Sequence, residues 1–238
     1  MSIMFSAETT EDVRVKGAKV ALLPVGSLEQ HGPYLPLTTD TVVACEIAKA
    51  VAERYPVQLL PPITISCSHE HAAWPGTVSI SARTLYDVVT DIAASLRRSG
   101  VPYLVLVNGH GGNYVLGNIV QESHGAMALF PTAYDWADVV AKAGIETPAD
   151  EDMHAGELEA SILLHTHPEL LQPDFRAGDH LATDRRFLLT QGMTPYTRSG
   201  VIGMPSRASG RKGELVLNGL ADMFAGHWAL HEGRAAGQ

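Results

Sequence analysis

Tyr103-Leu104-Val105-Leu106-Val107-Asn108-Gly109-His110-Gly111-Gly112-Asn113 is the stretch that decides the fold. Its first five residues are apolar without a break, the pattern of a central parallel strand buried on both faces rather than a half-exposed one. The strand runs directly into a glycine-rich turn carrying one imidazole, and the following residues, about Tyr114 to Ser123, read as a helix. Strand, tight turn and helix in immediate succession form the unit of an α/β fold.

The same unit recurs on either side. Val20 to Val25 is a second apolar strand, and Thr38 to Tyr55 carries Val42, Val43, Ile47 and Val51 at helical spacing and stops before Pro56. Val57 to Leu60 and Ala126 to Pro131 are further short strands. Ser81 reads as the N-cap of a helix to about Arg98, closed by Gly100. Segment 134–150 is partly helical, Asp152 to Glu159 opens a helix to about His165, and Lys212 to Leu230 is a final amphipathic helix. Residues 168–210, rich in Pro, Gly and Arg, read as a long excursion serving as a lid or an oligomer contact. Alternating strands and helices with short connections imply one domain with a mainly parallel sheet covered on both faces. In such sheets ligands bind at the carboxyl ends of the strands.

Composition narrows the function without naming it. The chain has 238 residues, 45% of them hydrophobic and 18% charged, as in an ordinary globular enzyme. A net charge of −9 argues against a nucleic-acid partner, which would demand Lys and Arg in excess. No apolar run approaches the roughly 18 to 20 residues that span a bilayer. The start of the chain lacks a signal-peptide pattern, so a cytoplasmic location is expected. Cys45 and Cys67 read as small buried hydrophobes, not as a disulfide framework.

Chemistry gathers at three places. The first is Gly26-Ser27-Leu28-Glu29-Gln30-His31-Gly32-Pro33-Tyr34-Leu35-Pro36-Leu37-Thr38-Thr39-Asp40, which follows a strand and opens a helix. Glu29 and His31, two apart in extended chain, project to one side, and Asp40 arrives after the loop has turned back. The second is His110, flanked by glycines that let backbone approach a ligand closely. A phosphate site would need the Gly-x-Gly-x-x-Gly order or a P-loop lysine, and neither is present. The third is His154 with Glu157 and Glu159. His154 and Glu157, three apart near a helix start, are expected on one face. Glu159 then points elsewhere and is given a supporting, buried hydrogen-bonding role. Glu29, Asp40 and His110 would hold one metal, and His31, Asp40 and Glu157 a second, with Asp40 bridging. Mixed imidazole and carboxylate donors suit zinc, manganese or iron(II).

Taken together, Glu29-Gln30-His31-Gly32-Pro33 with Asp40, Glu70-His71 with Pro75-Gly76-Thr77, Asn108 to Asn113, His154 to Glu159, and Gly200-Val201-Ile202-Gly203 followed by Lys212-Gly213-Glu214 resemble the creatininase family. The match runs in order along nearly the whole chain. The resemblance implies a three-layer αβα sandwich around a mainly parallel sheet, two divalent metal ions per chain and a homo-oligomer, often a hexamer. It implies hydrolysis of a cyclic or linear amide in a small molecule, with Glu29, His31, Asp40 and His110 matching the family's metal ligands. Creatinine-cleaving members carry a ligand glutamate at the position of Gly112, so Glu157 looks like its replacement from another loop. Their aromatic clamp is poorly matched, since Asp150 stands where a tryptophan is expected and Trp136 aligns only loosely with the other. The peptide-cleaving branch of cofactor maturation is similar too, with a histidine tending to stand at the place of Glu157.

The resemblance implies attack on the amide carbon by a hydroxide shared between the ions, with His154 as the general acid for the leaving nitrogen. Ser68, His71 and Trp74 are the candidate substrate contacts, and Asn113 is expected to cap the following helix. Three alternatives remain at this point. A deformylase acting on a formamidopyrimidine nucleotide would use Arg185, Arg186, Arg198, Arg207 and Arg211 for its phosphate. A peptidase of redox-cofactor maturation and a non-catalytic metal-binding relative are the others. A serine hydrolase is excluded, for no Gly-x-Ser-x-Gly elbow is present.

Overall fold

The computed structural model describes residues 7–236. Helix α1 (Thr10–Lys16) comes first, held by a reciprocal capping box between Thr9 and Asp12. Then follow β1 (Val20–Val25), α2 (Thr39–Ala52), β2 (Gln58–Leu59), α3 (Ala82–Arg98), β3 (Tyr103–Asn108), α4 (Val115–Glu122), β4 (Met127–Phe130), α5 (Ala133–Ala143), α6 (Glu157–Thr166), α7 (Leu188–Gln191) and α8 (Gly210–Ala236). The four strands form one parallel sheet in the order β2-β1-β3-β4. β1 and β3 are its centre, in register from Val20 opposite Tyr103 to Val25 opposite Asn108.

Strand side chains alternate between faces, and the sequence is apolar on both, so each face collects helices. Val20, Leu22, Val105, Val107 and Phe130 pack with residues of α2, α5, α6 and α8. Ala21, Leu23, Val25, Leu104 and Leu106 pack with residues of α3 and α4 on the other side. That is the three-layer αβα arrangement. Cys45 and Cys67 are buried free thiols within it.

The helix starts follow local chemistry. Ser81 caps α3 by accepting from Thr84 N–H at 3.1 Å. Thr132 and Asp135 form a capping box on α5, and Gly144 ends that helix in the left-handed region. The chain before α6 departs from expectation. Ala155 has φ 53°, Gly156 is extended, and the helix begins only at Glu157. Asp152 caps it from a distance, its carboxylate accepting from Glu157 N–H at 2.7 Å and Leu158 N–H at 2.9 Å.

Two features place the site. Sheet order runs outward from β1 to β2 on one side and to β3 on the other, which leaves a crevice where the loops after β1 and β3 diverge. The N-terminus of α2 is pressed into that crevice. A Cβ at Gly109 would lie 2.3 Å from the Asp40 carbonyl oxygen, so only glycine lets the two loops meet. The excursion 168–210 consists of short turns and α7, and it braces the site loops. Gln172 N–H donates to Tyr34 O, Met193 N–H to Glu70 O, and Gln30 Nε2 to Gly200 O.

Phe130 is fully buried and meets Phe224 edge-on at 5.3 Å between ring centres. Phe130→Ala should cost about 3–5 kcal/mol of stability in a denaturant titration. A loss under about 1 kcal/mol would mean the face beneath α8 is not the packed core described.

Candidate metal centre

The loop between β1 and α2 folds so that Glu29, His31 and Asp40 all point into the crevice, and each is essentially fully buried. His31 Nε2 and His110 Nδ1 each stand 3.1 Å from Asp40, on opposite carboxylate oxygens. Glu29 lies between His110 Nε2 and His71 Nε2, at 3.1 Å from each. Rings of His31 and His71 flank that of His154, with centroids 4.1 and 4.4 Å away.

Backbone carbonyls fix which imidazole nitrogen is free. A carbonyl can only accept, so His31 Nδ1 donates to Glu29 O at 3.1 Å and turns Nε2 towards Asp40. His154 Nε2 donates to Gln30 O at 2.6 Å, which leaves Nδ1 aimed at Glu29, 3.7 Å away. His110 Nε2 donates to Cys67 O at 2.9 Å, presenting Nδ1 to Asp40. Such carbonyl partners orient metal-binding imidazoles.

The charges are out of balance for a site without a cation. Both carboxylate oxygens of Glu29 and the Ser68 hydroxyl are buried and make no hydrogen bond. Burial and the neighbouring Asp40 push the Glu29 carboxyl well above its ordinary range. Burial opposes charge on Asp40 too, yet His31 and His110 hold it well below. Burial works against a proton on His31, but Asp40 prevails and raises it to about 9. His71 falls to about 3 through burial and the neighbouring imidazoles, and His154 is held well below its usual value for the same reasons. Buried carboxylates of this kind are paired or bound to metal. The donors fit that requirement. Three sets have ligand atoms within 4.8 Å of one another: Glu29, Asp40 and His110; His31, Asp40 and Glu159; and Glu29, His31 and His154.

Glu157 is not among them. Its carboxylate is buried on the opposite side of α6, accepting from Thr147 N–H and Oγ1 at 2.7 Å each and from Lys212 Nζ at 2.5 Å. Glu159 takes the place expected of Glu157, with Oε2 3.9 Å from His31 Nε2 and accepting from Ala155 N–H at 2.6 Å. The expectation failed because His154 precedes the helix. With the left-handed turn at Ala155 between them, three-residue spacing no longer means one face. Glu159 and Glu157 lie about 200° apart around α6, so one faces the centre and the other cannot.

A cavity of about 550 Å³ opens beside His110, His154 and Glu159. Its far wall is apolar, formed by Trp136, Val140, Ile145 and Ile162. Ser68, His71 and Trp74, expected as substrate contacts, do not line this cavity. Ser68 and His71 are buried, His71 against Glu29. Trp136 does reach the wall, while Asp150 is exposed. Asn113 does not cap α4. It joins three loops instead, accepting from Cys67 N–H and donating to Gly26 O and Asn108 Oδ1. Among the described residues, no arginine or lysine lines the cavity. Arg185 donates to backbone carbonyls and Arg186 pairs with Asp184.

An αβα fold with buried carboxylates and imidazoles converging at the strand ends is fit to hold a divalent metal. A family model described as creatinine amidohydrolase matches residues 5–227, and the chain belongs to the creatininase family. It is 34% identical over 216 residues to the mycofactocin precursor peptide peptidase of Mycolicibacterium smegmatis, covering 85% of this chain and 83% of that protein. It is 30% identical over 237 residues to the creatinine amidohydrolase of Pseudomonas putida, covering 87% and 88%. The solved structure of a manganese creatininase superimposes with a TM-score of 0.76 at 26% identity, covering 95% of this chain and 99% of that one. No helix among the described residues is long and apolar enough to cross a membrane.

Two outcomes are expected of the centre. Glu159→Ala should lower bound metal, while Glu157→Ala should leave it unchanged and cost about 1–3 kcal/mol of stability through lost buried hydrogen bonds. Metal loss in the Glu157 variant alone would reverse the assignment. The second concerns pH. His31 keeps its proton below about 9, and a cation must displace it. Metal affinity of the stripped protein should therefore climb as pH rises from 7 towards 9, with proton release seen by calorimetry in buffers of different ionisation enthalpy. A flat profile would contradict it.

Proposed function

We propose that this protein hydrolyses an amide C–N bond in a small molecule, such as a cyclic amide or a formamide, using two divalent ions. The observation that carries this reading is the sharing of Asp40 between two donor sets, one with Glu29 and His110 and the other with His31 and Glu159. Zinc, manganese and iron all suit these donors. Bound there, two such ions would supply a water of lowered pKa and polarise the substrate carbonyl.

The protein's own residues supply the rest. His154 is neutral at working pH and presents an unprotonated Nδ1 to the centre. It can take a proton from the attacking water and return it to the leaving nitrogen, so it serves first as base and then as acid. The Gln30 carbonyl holds that ring in the tautomer the transfer needs. Asp40 is fixed by Ser27 Oγ, which donates to it at 2.6 Å. The apolar wall around Trp136 keeps water from the rest of the substrate and orients it.

A second substrate reading is a peptide bond. It is favoured by the relation to a peptidase over most of the chain and by an apolar wall fit for a hydrophobic side chain. A formamidopyrimidine nucleotide has less support, because the cavity wall offers no cation for its phosphate.

Elemental mass spectrometry of the purified protein should find about two equivalents of divalent metal per chain. One equivalent would overturn the two-ion reading. His154→Ala should keep that metal and lose turnover by about 10²- to 10⁴-fold. Full activity would move proton transfer elsewhere. In a panel of lactams, formamides and short peptides, creatinine should be turned over negligibly, and brisk creatinine hydrolysis would refute the substrate reading.

A further inference from the structure

Gln30 is buried between the metal-binding side chains and the excursion, and each of its polar groups has a partner. Its backbone carbonyl accepts from His154 Nε2 at 2.6 Å. Its side chain serves a second imidazole, with Nε2 standing 2.9 Å from His71 Nδ1.

The side-chain amide can sit in only one of its two orientations. Oε1 accepts from Gly32 N–H at 2.8 Å, and Nε2 donates to Gly200 O at 3.2 Å. Exchanging the two ends would set N–H against N–H and oxygen against oxygen. Gly200, with φ 92°, closes over this amide, and a Cβ there would lie 1.7 Å from Oε1. Only glycine allows so close an approach. The second hydrogen on Nε2 therefore goes to His71 Nδ1, which must accept it.

An imidazole that accepts at Nδ1 carries its proton on Nε2, and that nitrogen of His71 faces Glu29 Oε1 at 3.1 Å. His154 is the complement. It donates through Nε2 to the Gln30 carbonyl and turns a bare Nδ1 to the same Glu29 oxygen, 3.7 Å away. We propose that Gln30 is a positioning residue that sets both imidazoles, His154 through its main chain and His71 through its side chain, so that Glu29 meets one N–H and one lone pair. His71 then steadies a metal-binding carboxylate without being a ligand itself, and His154 stays free to carry a proton. The excursion, through Gly200, fixes the amide orientation on which this depends. The inference rests on the reading of Glu29 as a metal ligand.

The test uses the full chain loaded with zinc and carrying isotope-labelled histidine. Long-range proton–nitrogen NMR spectra of the wild type should show His71 and His154 each protonated at Nε2 and bare at Nδ1, with signals assigned from His71→Gln and His154→Gln. Gln30→Glu keeps the side chain's shape, but a carboxylate only accepts, so His71 Nδ1 should gain a proton. His154, held by the main chain, should stay as it was. Gln30→Met offers His71 no partner and should bind zinc about 10- to 100-fold more weakly in competition with a chelator. A wild-type His71 protonated at Nδ1, or a bare Nδ1 in Gln30→Glu, would overturn the inference. So would a change in both imidazoles together, the mark of general loosening, or wild-type zinc affinity in a folded Gln30→Met. Tautomers as assigned in a wild type that takes up no zinc would instead bring down the metal reading, and the steadying role of His71 with it.

Discussion

The structure depends on keeping Glu29 and Asp40 ionisable inside a buried crevice. Two carboxylates a few ångströms apart and out of water repel each other and lose hydration, so they persist only where positive charge or strong donors surround them. His31 from the same loop and His110 from the turn after β3 flank Asp40, while His71 from the 3₁₀ turn and His154 from the approach to α6 close in on Glu29. Each is turned by a backbone carbonyl or by Gln30, so the ring nitrogens converge rather than wander. A divalent cation held by these residues would relieve the remaining imbalance, and binding and local stability would then be two sides of one equilibrium.

The sheet earns its place by where it ends. β1 and β3 are paired over their full length, which fixes the loops after Val25 and Asn108 side by side. Only glycine at 109 lets the first turn of α2, with Asp40, approach the second loop. Asn113 then links the segments at Gly26, Cys67 and Asn108 with three hydrogen bonds. The donors are thus held by rigid elements and by cross-links between loops, which is what a preorganised centre requires.

Relatives of this chain include proteins named for a peptide substrate and for creatinine. Relatives of one fold can differ in substrate because selectivity lies in what surrounds the reacting groups. Here the wall is apolar with a single tryptophan, Trp136. Differences of this kind change the room around a substrate without altering the way a carbonyl is activated.

The sequence alone determined the layers. Unbroken apolar runs at β1 and β3, helical spacing between them and glycine-rich turns at the strand ends can form only a covered parallel sheet with its crevice at one edge. It also marked Glu29, His31, Asp40, His110 and His154, because each sits in a loop or turn whose residues have little other purpose. What it did not settle was the rotation of α6. Glu157 and Glu159 are both acidic and both follow His154 closely, and spacing rules hold only within a helix. The left-handed turn at Ala155 and the cap from Asp152 start that helix late, and the pull of Lys212 and Thr147 on Glu157 turns Glu159 inward. Lys212 lies 55 residues further along the chain, so only the tertiary structure could choose between the two glutamates.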